Sequence, residues 1–381
     1  MLRLRSYLTP RTREMVESLG KFVRCESPSH QKAPVDRYGA LIAGEWRRRG
    51  AQVRILRQKL RGNHVRAEIS FGGGSRAKSQ LMVLGHLDTV YPLGTLSTQP
   101  FRLKDGRAFG PGTFDMKAGQ VIALAAVDAL RALGLRPRKR IVFVWNSDEE
   151  IGSYASRAWI EREARRSDAV LVLEPAAGPD GRLKTGRKGI GTAEIIVTGR
   201  SAHAGLDPGA GINAVDELAR QIVRLKSLNA PKRGIAMQAT VVAGGTVSNV
   251  VPHHARVEID IRYTHVADAK KIERQLRAIR PILPGAQIEV RGGINRPPLE
   301  RSVAVARLFH HARQLMRAFG HELDETSVGG GSDGNFTAAL GVPTLDGLGA
   351  IGNGAHSTVE HVLIRSLPER AALLAGLLAT L

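Results

Sequence analysis

Three short apolar segments of the chain end in ionisable residues, and this pattern limits the fold more than any other feature of the sequence. The segments read LMVLGHLD, IVFVWNSDEE and AVLVLEP, and a helix-periodic stretch, Gly119–Leu133, separates the first two. Strands that alternate with helices predict an α/β sheet with mostly parallel strands, and such sheets commonly carry their functional site at the carboxyl ends of the strands. The ionisable residues at these ends are His86, Asp88, Asp148, Glu149, Glu150 and Glu174.

A second part of the chain has a different pattern. Half-alternating strands are predicted at Thr192–Val197, Met237–Ala243 and Arg256–Tyr263, with helices at Asn213–Ser227 and Val266–Ala278. Two helices on an antiparallel sheet predict a separate α+β unit. Because 381 residues also exceed one ordinary hydrophobic core, we expect two domains, residues 1–188 with 296–381 and residues 189–295.

Composition limits the classes of function. The apolar stretches are shorter than the roughly 20 residues that cross a bilayer, and the N-terminal segment carries arginines where a signal peptide needs an apolar run. We therefore expect no membrane association and a cytoplasmic location, with which the single cysteine, Cys25, agrees. The net charge of +21 comes from scattered basic residues without interleaved aromatic side chains, which predicts a solvated surface and no nucleic-acid partner.

The acids and histidines suggest a metal centre. His86 and Asp88 lie two residues apart at a strand end, so Asp88 can orient the imidazole while the other ring nitrogen binds metal, although a surface turn could contain the same pair. Asp115, in the glycine-rich loop FGPGTFDMKAG, could instead cap the helix that follows. Carboxylates crowded at buried strand ends repel one another unless a cation relieves them, whereas a solvated loop would tolerate them.

The candidate ligands combine imidazole and carboxylate groups without a thiolate, which suits zinc, with cobalt or manganese as substitutes. A carboxylate between two ions would make a dinuclear centre, whose bridging water is acidified toward hydroxide and supplies the nucleophile. Glu149, beside a ligand, is then available as general base and proton donor. The candidate ligands are His86, Asp115, Glu150, Glu174 and His356 of GNGAHST.

The order of the motifs resembles that of a known family. HLD, GPGTFDMK, DEE, the glutamate before Pro175, SAHAG, GGGSD and AHS follow the order seen in dizinc aminoacylases and carboxypeptidases. That family includes bacterial glutamate carboxypeptidase, acetylornithine deacetylase and succinyl-diaminopimelate desuccinylase. The resemblance extends from about His86 to His356. It implies a catalytic α/β domain interrupted by a smaller lid domain, through which two subunits form a homodimer.

The resemblance implies two Zn²⁺ ions per subunit. Asp115 would bridge them, with His86 and Glu174 completing one coordination shell. Glu150 and His356 would complete the other.

The resemblance also implies the remaining catalytic roles. Glu149 matches the catalytic base, and Asp88 matches the aspartate behind a metal-binding histidine. His203 of SAHAG, which taken alone could be a turn histidine, matches a lid histidine that stabilises the tetrahedral oxyanion. The peptide between Asp115 and Met116 is expected to be cis.

Substrate contacts are expected in the lid and in the GGGSD motif. Asn249 of TVSNVVP and Arg262 of DIRY match polar residues that touch the substrate, and Gly330 and Gly331 allow close backbone approach. Arg296 of INRPP aligns with an arginine that grips the substrate carboxylate, a task suited to a guanidinium fork, though it could also be an exposed linker residue.

These motifs predict a metal-dependent hydrolase that uses a zinc-bridged hydroxide to cleave the amide bond of a C-terminal or N-acylated amino acid. Its substrates would be small peptides or N-acyl amino acids. The alternative is a deacylase of the deacetylase or desuccinylase type. A non-catalytic binding homologue is disfavoured because the five ligands, Glu149 and His203 are all kept. The basic segment GRLKTGRKGIG departs from the pattern that selects glutamate, so the released amino acid stays open.

Overall fold

The computed structural model of the chain describes residues 2–71 and 79–381. These residues form two compact units, each with its own hydrophobic core. The larger unit comprises Met1–Gly186, Arg301–Ser327 and Ser332–Leu381, and the smaller unit comprises Arg187–Glu300 and Val328–Gly331. The roles of catalytic domain and lid domain stay predictions.

The helices and strands are numbered along the chain. The helices are α1 (Leu2–Leu8), α2 (Thr12–Val23), α3 (Lys32–Arg48), α4 (Ala118–Ala132), α5 (Arg157–Ala164), α6 (Ala214–Lys226), α7 (Ala269–Arg277), α8 (Val303–Arg317), α9 (Gly334–Ala339) and α10 (Ser366–Thr380). The strands are β1 (Gln52–Leu56), β2 (His64–Ile69), β3 (Gln80–His86), β4 (Arg102–Lys104), β5 (Arg107–Phe109), β6 (Arg140–Asn146), β7 (Ser167–Val172), β8 (Leu183–Arg187), β9 (Gly189–Thr198), β10 (Ala236–Gly244), β11 (His254–Tyr263), β12 (Gln287–Arg296), β13 (Glu325–Val328), β14 (Thr344–Leu345), β15 (Gly352–Asn353) and β16 (His361–Leu363).

A six-stranded sheet with the order β1-β2-β6-β3-β7-β14 forms the centre of the larger unit. Strand β3 pairs in parallel with β6 and β7, and β14 continues the parallel part, which confirms the predicted α/β class with its mostly parallel centre. Strands β1 and β2 are antiparallel additions at one edge.

Strand β3 is buried along its whole length because both of its faces are covered. Leu81 and Val83 pack into the core that also contains residues of α4 and α10. Met82 and Leu84 pack into a second core, with Trp159 of α5. Alternate side chains of a strand point to opposite faces, so a continuous apolar run is what such a doubly covered strand requires.

A second sheet in the larger unit joins two distant loops. Its order is β15-β16-β5-β4, and all of its pairings are antiparallel. Phe109, the last residue of β5, pairs with His361, the first residue of β16. The loop after β5 and the loop before β16 therefore leave the sheet side by side.

The smaller unit is an antiparallel sheet with the order β10-β11-β9-β12, covered by α6 and α7. Helix α6 begins after Asn213, whose side chain accepts hydrogen bonds from the N–H groups of Val215 and Asp216. The sequence pattern predicts three of the four strands and both helices. It does not predict β12, in which Gly292 and Gly293 interrupt the alternation.

Among the described residues, every helix is too short or too polar to reach across a lipid bilayer.

The first turn of α4 approaches the end of β7 so closely that only glycine fits at position 119. A Cβ atom there would lie 2.5 Å from the carbonyl oxygen of Leu173, the residue before Glu174. We expect Gly119→Ala to lower the free energy of unfolding by about 1–3 kcal/mol, because the helix must move away from the strand. Gly44→Ala on α3, where a Cβ meets nothing within 4 Å, is the matched control and should be neutral or stabilising. Equal stability of the two variants in urea unfolding would contradict this packing.

Candidate metal centre

Strand ends and two loops bring the five predicted ligands together. His86 is the last residue of β3, Glu150 lies in the turn after β6, and Glu174 follows β7. Asp115 lies in a kinked turn, Thr113–Lys117, before α4, and His356 lies between β15 and β16. Parallel strands end at one edge of their sheet, which explains why the first three residues meet.

The two oxygens of the Asp115 carboxylate face two different imidazoles. Oδ1 lies 3.1 Å from Nε2 of His86, and Oδ2 lies 3.5 Å from Nε2 of His356. His86 Nε2 is also 3.6 Å from Oε1 of Glu174, and His356 Nε2 is 3.2 Å from Oε2 of Glu150. Asp115 therefore stands between two sets of nitrogen and oxygen atoms.

These separations fit divalent cations. Two ligand atoms that each lie 2.0–2.1 Å from a tetrahedral zinc ion are about 3.3 Å apart, which is close to the four distances above. Ligand atoms of His86, Asp115 and Glu150 all lie within 4.8 Å of one another, as do those of His86, Glu149 and Glu174. Oε1 of Glu150 is buried and has no hydrogen-bond partner among the described residues, as expected of an oxygen atom that coordinates a cation. The residues present fit a zinc centre.

Electrostatics at the centre also favour a cation. Burial and the neighbouring Asp115 raise the pKa of Glu150. Burial acts the same way on Asp115, but hydrogen bonds from His356 and His86 hold its pKa well below its ordinary value. Asp115 and Glu150 in turn raise the pKa of His356 to about 10. The carboxylates therefore favour positive charge at this position, and bound metal ions would supply it.

Comparisons with known proteins identify the family of the chain. The model of "Peptidase family M20/M25/M40" matches residues 82–380. Carboxypeptidase G2 of a Pseudomonas species is 31% identical over 371 residues, which cover 96% of this chain and 89% of that enzyme. The chain belongs to this peptidase family. It is therefore a metal-dependent hydrolase of the peptidase and amidohydrolase type.

Three further known proteins are also similar to the chain. Succinyl-diaminopimelate desuccinylase of Methylibium petroleiphilum is 25% identical over 304 residues, which cover 75% of this chain and 78% of that enzyme. The crystal structure of aminopeptidase PepT from Bacillus cereus aligns with a TM-score of 0.78 at 20% identity, and 97% of this chain and 98% of that one are covered. A metallo-carboxypeptidase of the M20 family from Sulfolobus solfataricus aligns with a TM-score of 0.75 at 17% identity, covering 96% and 98% of the two chains. These structures share the fold.

The structure rules out the simple local readings of two ligand motifs. His86 and Asp88 are both buried, so the pair does not belong to a surface turn. Helix α4 begins at Ala118 and has no side-chain cap, so Asp115 does not cap it. The Asp115–Met116 peptide is cis, as the resemblance implied.

Asp88 contacts both His86 and the acidic turn after β6. Nδ1 of His86 lies 2.9 Å from the backbone oxygen of Asp88 and 3.6 Å from the carboxylate, so the carbonyl is the hydrogen-bond acceptor. The Asp88 carboxylate instead accepts hydrogen bonds from the backbone N–H groups of Glu149 and Glu150, each at 3.2 Å. Asp88 thus orients the imidazole through its main chain and holds the acidic turn through its side chain.

The backbone of His356 adopts an uncommon conformation. Its φ is 61°, in the left-handed region that disfavours residues other than glycine. Such a conformation persists only where the surroundings require it, and here it accompanies an imidazole aimed at Asp115 and Glu150.

The structure places the other predicted site residues in the smaller unit, and there it brings His203 and Asn249 together. The backbone N–H of Ala204 donates to the carbonyl of Asn249, and His203 forms a β-bridge with Val250. The His203 imidazole is exposed, and its Nδ1 accepts from the N–H groups of the two residues Gly205 and Leu206. The role of both side chains toward substrate stays a prediction.

Three arginines of the smaller unit, Arg187, Arg262 and Arg296, lie beside the glycine segment 329–331. Arg296 is buried and therefore is not an exposed linker residue. Arg262 forms a bidentate ion pair with Asp260 and also donates to the carbonyl of Gly329. Arg187, from the basic segment noted above, donates to the carbonyls of Gly330 and Gly331, both at 3.0 Å. The structure thus adds Arg187 to the residues that contact this segment.

The sequence did not indicate Glu360 or Tyr91, of which Glu360 binds the N–H of Asp115 and Tyr91 binds Ser357, the residue after His356. Glu360 lies four residues after His356 in AHSTVE, and it is almost fully buried. An acid so close to a candidate ligand was the available signal.

We expect Asp88→Asn to weaken metal binding by about 10–100-fold, because the new amide N–H₂ would face a backbone N–H of Glu149 or Glu150. The contact between His86 and the Asp88 carbonyl would survive. Competition with a chelator measures the change. Asp168→Asn, a half-exposed aspartate paired with Lys139 at the start of β7, is the control and should bind metal normally. Normal binding by both variants would contradict the role of the Asp88 carboxylate.

Proposed function

We propose that the chain uses two divalent cations, zinc in its native form, to hydrolyse the amide bond of a C-terminal or N-acylated amino acid. The observation that carries this proposal is the position of the Asp115 carboxylate, one oxygen toward His86 and the other toward His356. Glu174 on one side and Glu150 on the other provide the remaining protein ligands.

The ions would supply Lewis-acid polarisation of the scissile carbonyl and a water molecule of lowered pKa. Glu149 would act as the general base that accepts a proton from the attacking water and as the acid that donates it to the departing nitrogen. Its carboxylate lies near His86 and Glu174, and its backbone N–H is held by Asp88. His203 is proposed to stabilise the oxyanion.

The proposed substrates carry a free carboxylate on the departing amino acid. Arg296 is proposed to bind it, since a buried guanidinium offers a fixed pair of donors to a carboxylate. Asn249, Arg262, Gly330 and Gly331 are proposed as further contacts. The similarity to carboxypeptidase G2 over nearly the whole chain favours carboxypeptidase activity.

A deacylase is the second candidate, because several similar proteins are succinyl-diaminopimelate desuccinylases. The deciding experiment is a hydrolysis screen of the zinc-loaded protein. One series varies the C-terminal amino acid at a constant acyl group, and the other varies the acyl group, including acetyl and succinyl, at a constant amino acid. Selectivity for the amino acid supports a carboxypeptidase, and selectivity for a short acyl group supports a deacylase.

Removal of metal should abolish hydrolysis, and zinc, cobalt or manganese should restore it.

Glu149→Gln should retain bound metal but lose about 10²–10⁴-fold in kcat, because the glutamine side chain cannot accept a proton. Metal analysis and steady-state kinetics measure both quantities. Glu17→Gln on α2, whose side chain is 63% exposed, is the control. An unchanged rate in Glu149→Gln would refute the mechanism.

We further propose that two copies of the chain associate through the smaller unit. Strand β10 is an edge strand, because β11 is its only partner among the described strands. Seven of its nine residues are exposed, including Val241 and Val242. Long exposed edges with apolar side chains favour pairing with another chain, so β10 supports a homodimer.

We expect Val242→Lys to shift the chain toward monomer in sedimentation equilibrium, because a lysine on an edge strand opposes pairing. Val266→Lys replaces another exposed valine of the smaller unit outside β10 and should leave the assembly unchanged. A monomeric unmodified chain, or an unaffected dimer in Val242→Lys, would contradict the proposal.

A further inference from the structure

A buried carboxylate outside the proposed ligand set joins the two loops of the metal centre. Glu360 is 2% exposed. Its Oε1 accepts hydrogen bonds from the N–H groups of Phe114 at 2.7 Å and Asp115 at 2.9 Å. Its Oε2 accepts from the N–H of Gly112 at 2.8 Å and from the Tyr91 hydroxyl at 2.5 Å. Four donors thus converge on one carboxylate.

Tyr91 extends this connection to the loop of the second histidine. Its hydroxyl lies 3.0 Å from the carbonyl oxygen of Ser357, the residue after His356, as well as beside Glu360. The hydroxyl has one proton, so the shorter contact with Glu360 is the main bond and Ser357 shares it. The backbone adds a further link, since the N–H of Gly110 donates to the Glu360 carbonyl.

The backbone around Asp115 needs such an acceptor. Asp115 and Met116 have non-helical backbone angles, so a regular helical hydrogen-bond ladder does not continue through this turn. Buried N–H groups require partners, and Glu360 provides one for three of them. Because one of the three belongs to Asp115 itself, the carboxylate fixes the main chain from which the proposed bridging ligand projects.

We propose that Glu360 and Tyr91 are positioning residues that hold Asp115 and His356 at the spacing required to bind two metal ions. This inference rests on the proposed function, because the spacing matters only if the centre binds two metal ions. Neither residue contacts an ion or the reacting atoms in this proposal. An ionised carboxylate suits the position because every group that contacts it is a donor. A glutamine would place its own N–H₂ against at least one of these donors.

Glu360→Gln is the first test. We expect faster hydrogen exchange at Gly112, Phe114 and Asp115 and an affinity for zinc about 10–100-fold weaker in chelator competition. The visible absorption spectrum of the cobalt-loaded protein should change, and kcat should fall while KM stays constant. Glu17→Gln removes an exposed carboxylate from α2 and should match the unmodified protein in all four measurements.

Tyr91→Phe is the second test, and it decides the question if Glu360→Gln does not fold. It removes one donor and the link to Ser357 but keeps the carboxylate, so the same measurements should change in the same direction by a smaller factor. Tyr7→Phe removes a hydroxyl from α1, where the ring packs against Arg11, and should have no effect.

The outcomes separate the inference from the proposed function. A structural role alone would lower the melting temperature but leave zinc affinity and the cobalt spectrum of the folded variants unchanged. That result, in an unmodified chain that binds two ions and hydrolyses substrate, would overturn the inference and leave the proposed function intact. Failure of the unmodified chain to bind metal would overturn both.

Discussion

Mutual repulsion among the crowded carboxylates is the constraint that the larger unit has to satisfy. The side chains of Asp115, Glu150 and Glu174 meet near the carboxyl edge of the parallel strands and are only 16%, 6% and 10% exposed, so little water screens their charges. Burial without compensation would cost several kcal/mol for each charge. Two imidazoles and, by proposal, two cations offset this cost. The same repulsion that disfavours the apoprotein therefore supplies affinity for metal.

The fold holds these charges in place with rigid parts around an irregular turn. Strand β3 is covered on both faces, so His86 projects from an element that cannot shift easily. The close approach of Gly119 to Leu173 brings α4 against the strand end that precedes Glu174. The turn of Asp115 has no regular ladder and depends on Glu360 for its N–H groups. Precision at the centre thus comes from packing on one side and from hydrogen bonds on the other.

Much of the fold could be predicted from the sequence because local periodicity and tertiary environment agree. The apolar run of β3, the long helix α4 and the alternating strands β9 and β11 all show the period that their burial demands. Strand β12 could not be predicted, since its two glycines weaken the alternation and its place depends on pairing with β9. The contacts of the Asp88 carboxylate with the N–H groups of Glu149 and Glu150 could not be predicted, because these main-chain groups are distant from Asp88 in sequence.

By itself, the sequence determined the α/β class, the family and the chemical types of the candidate ligands, because these depend on periodicity and on the order of short motifs. Only the tertiary structure decided which atoms face each other across the centre and which groups support them. Tyr91, Gly112 and Glu360 meet although they are widely separated along the chain, and the pairing of β5 with β16 brings the loops of Gly112 and Glu360 together. Hydrogen bonds of this kind leave no periodic pattern in the sequence, since most of the donors are backbone N–H groups, which nearly every residue type carries.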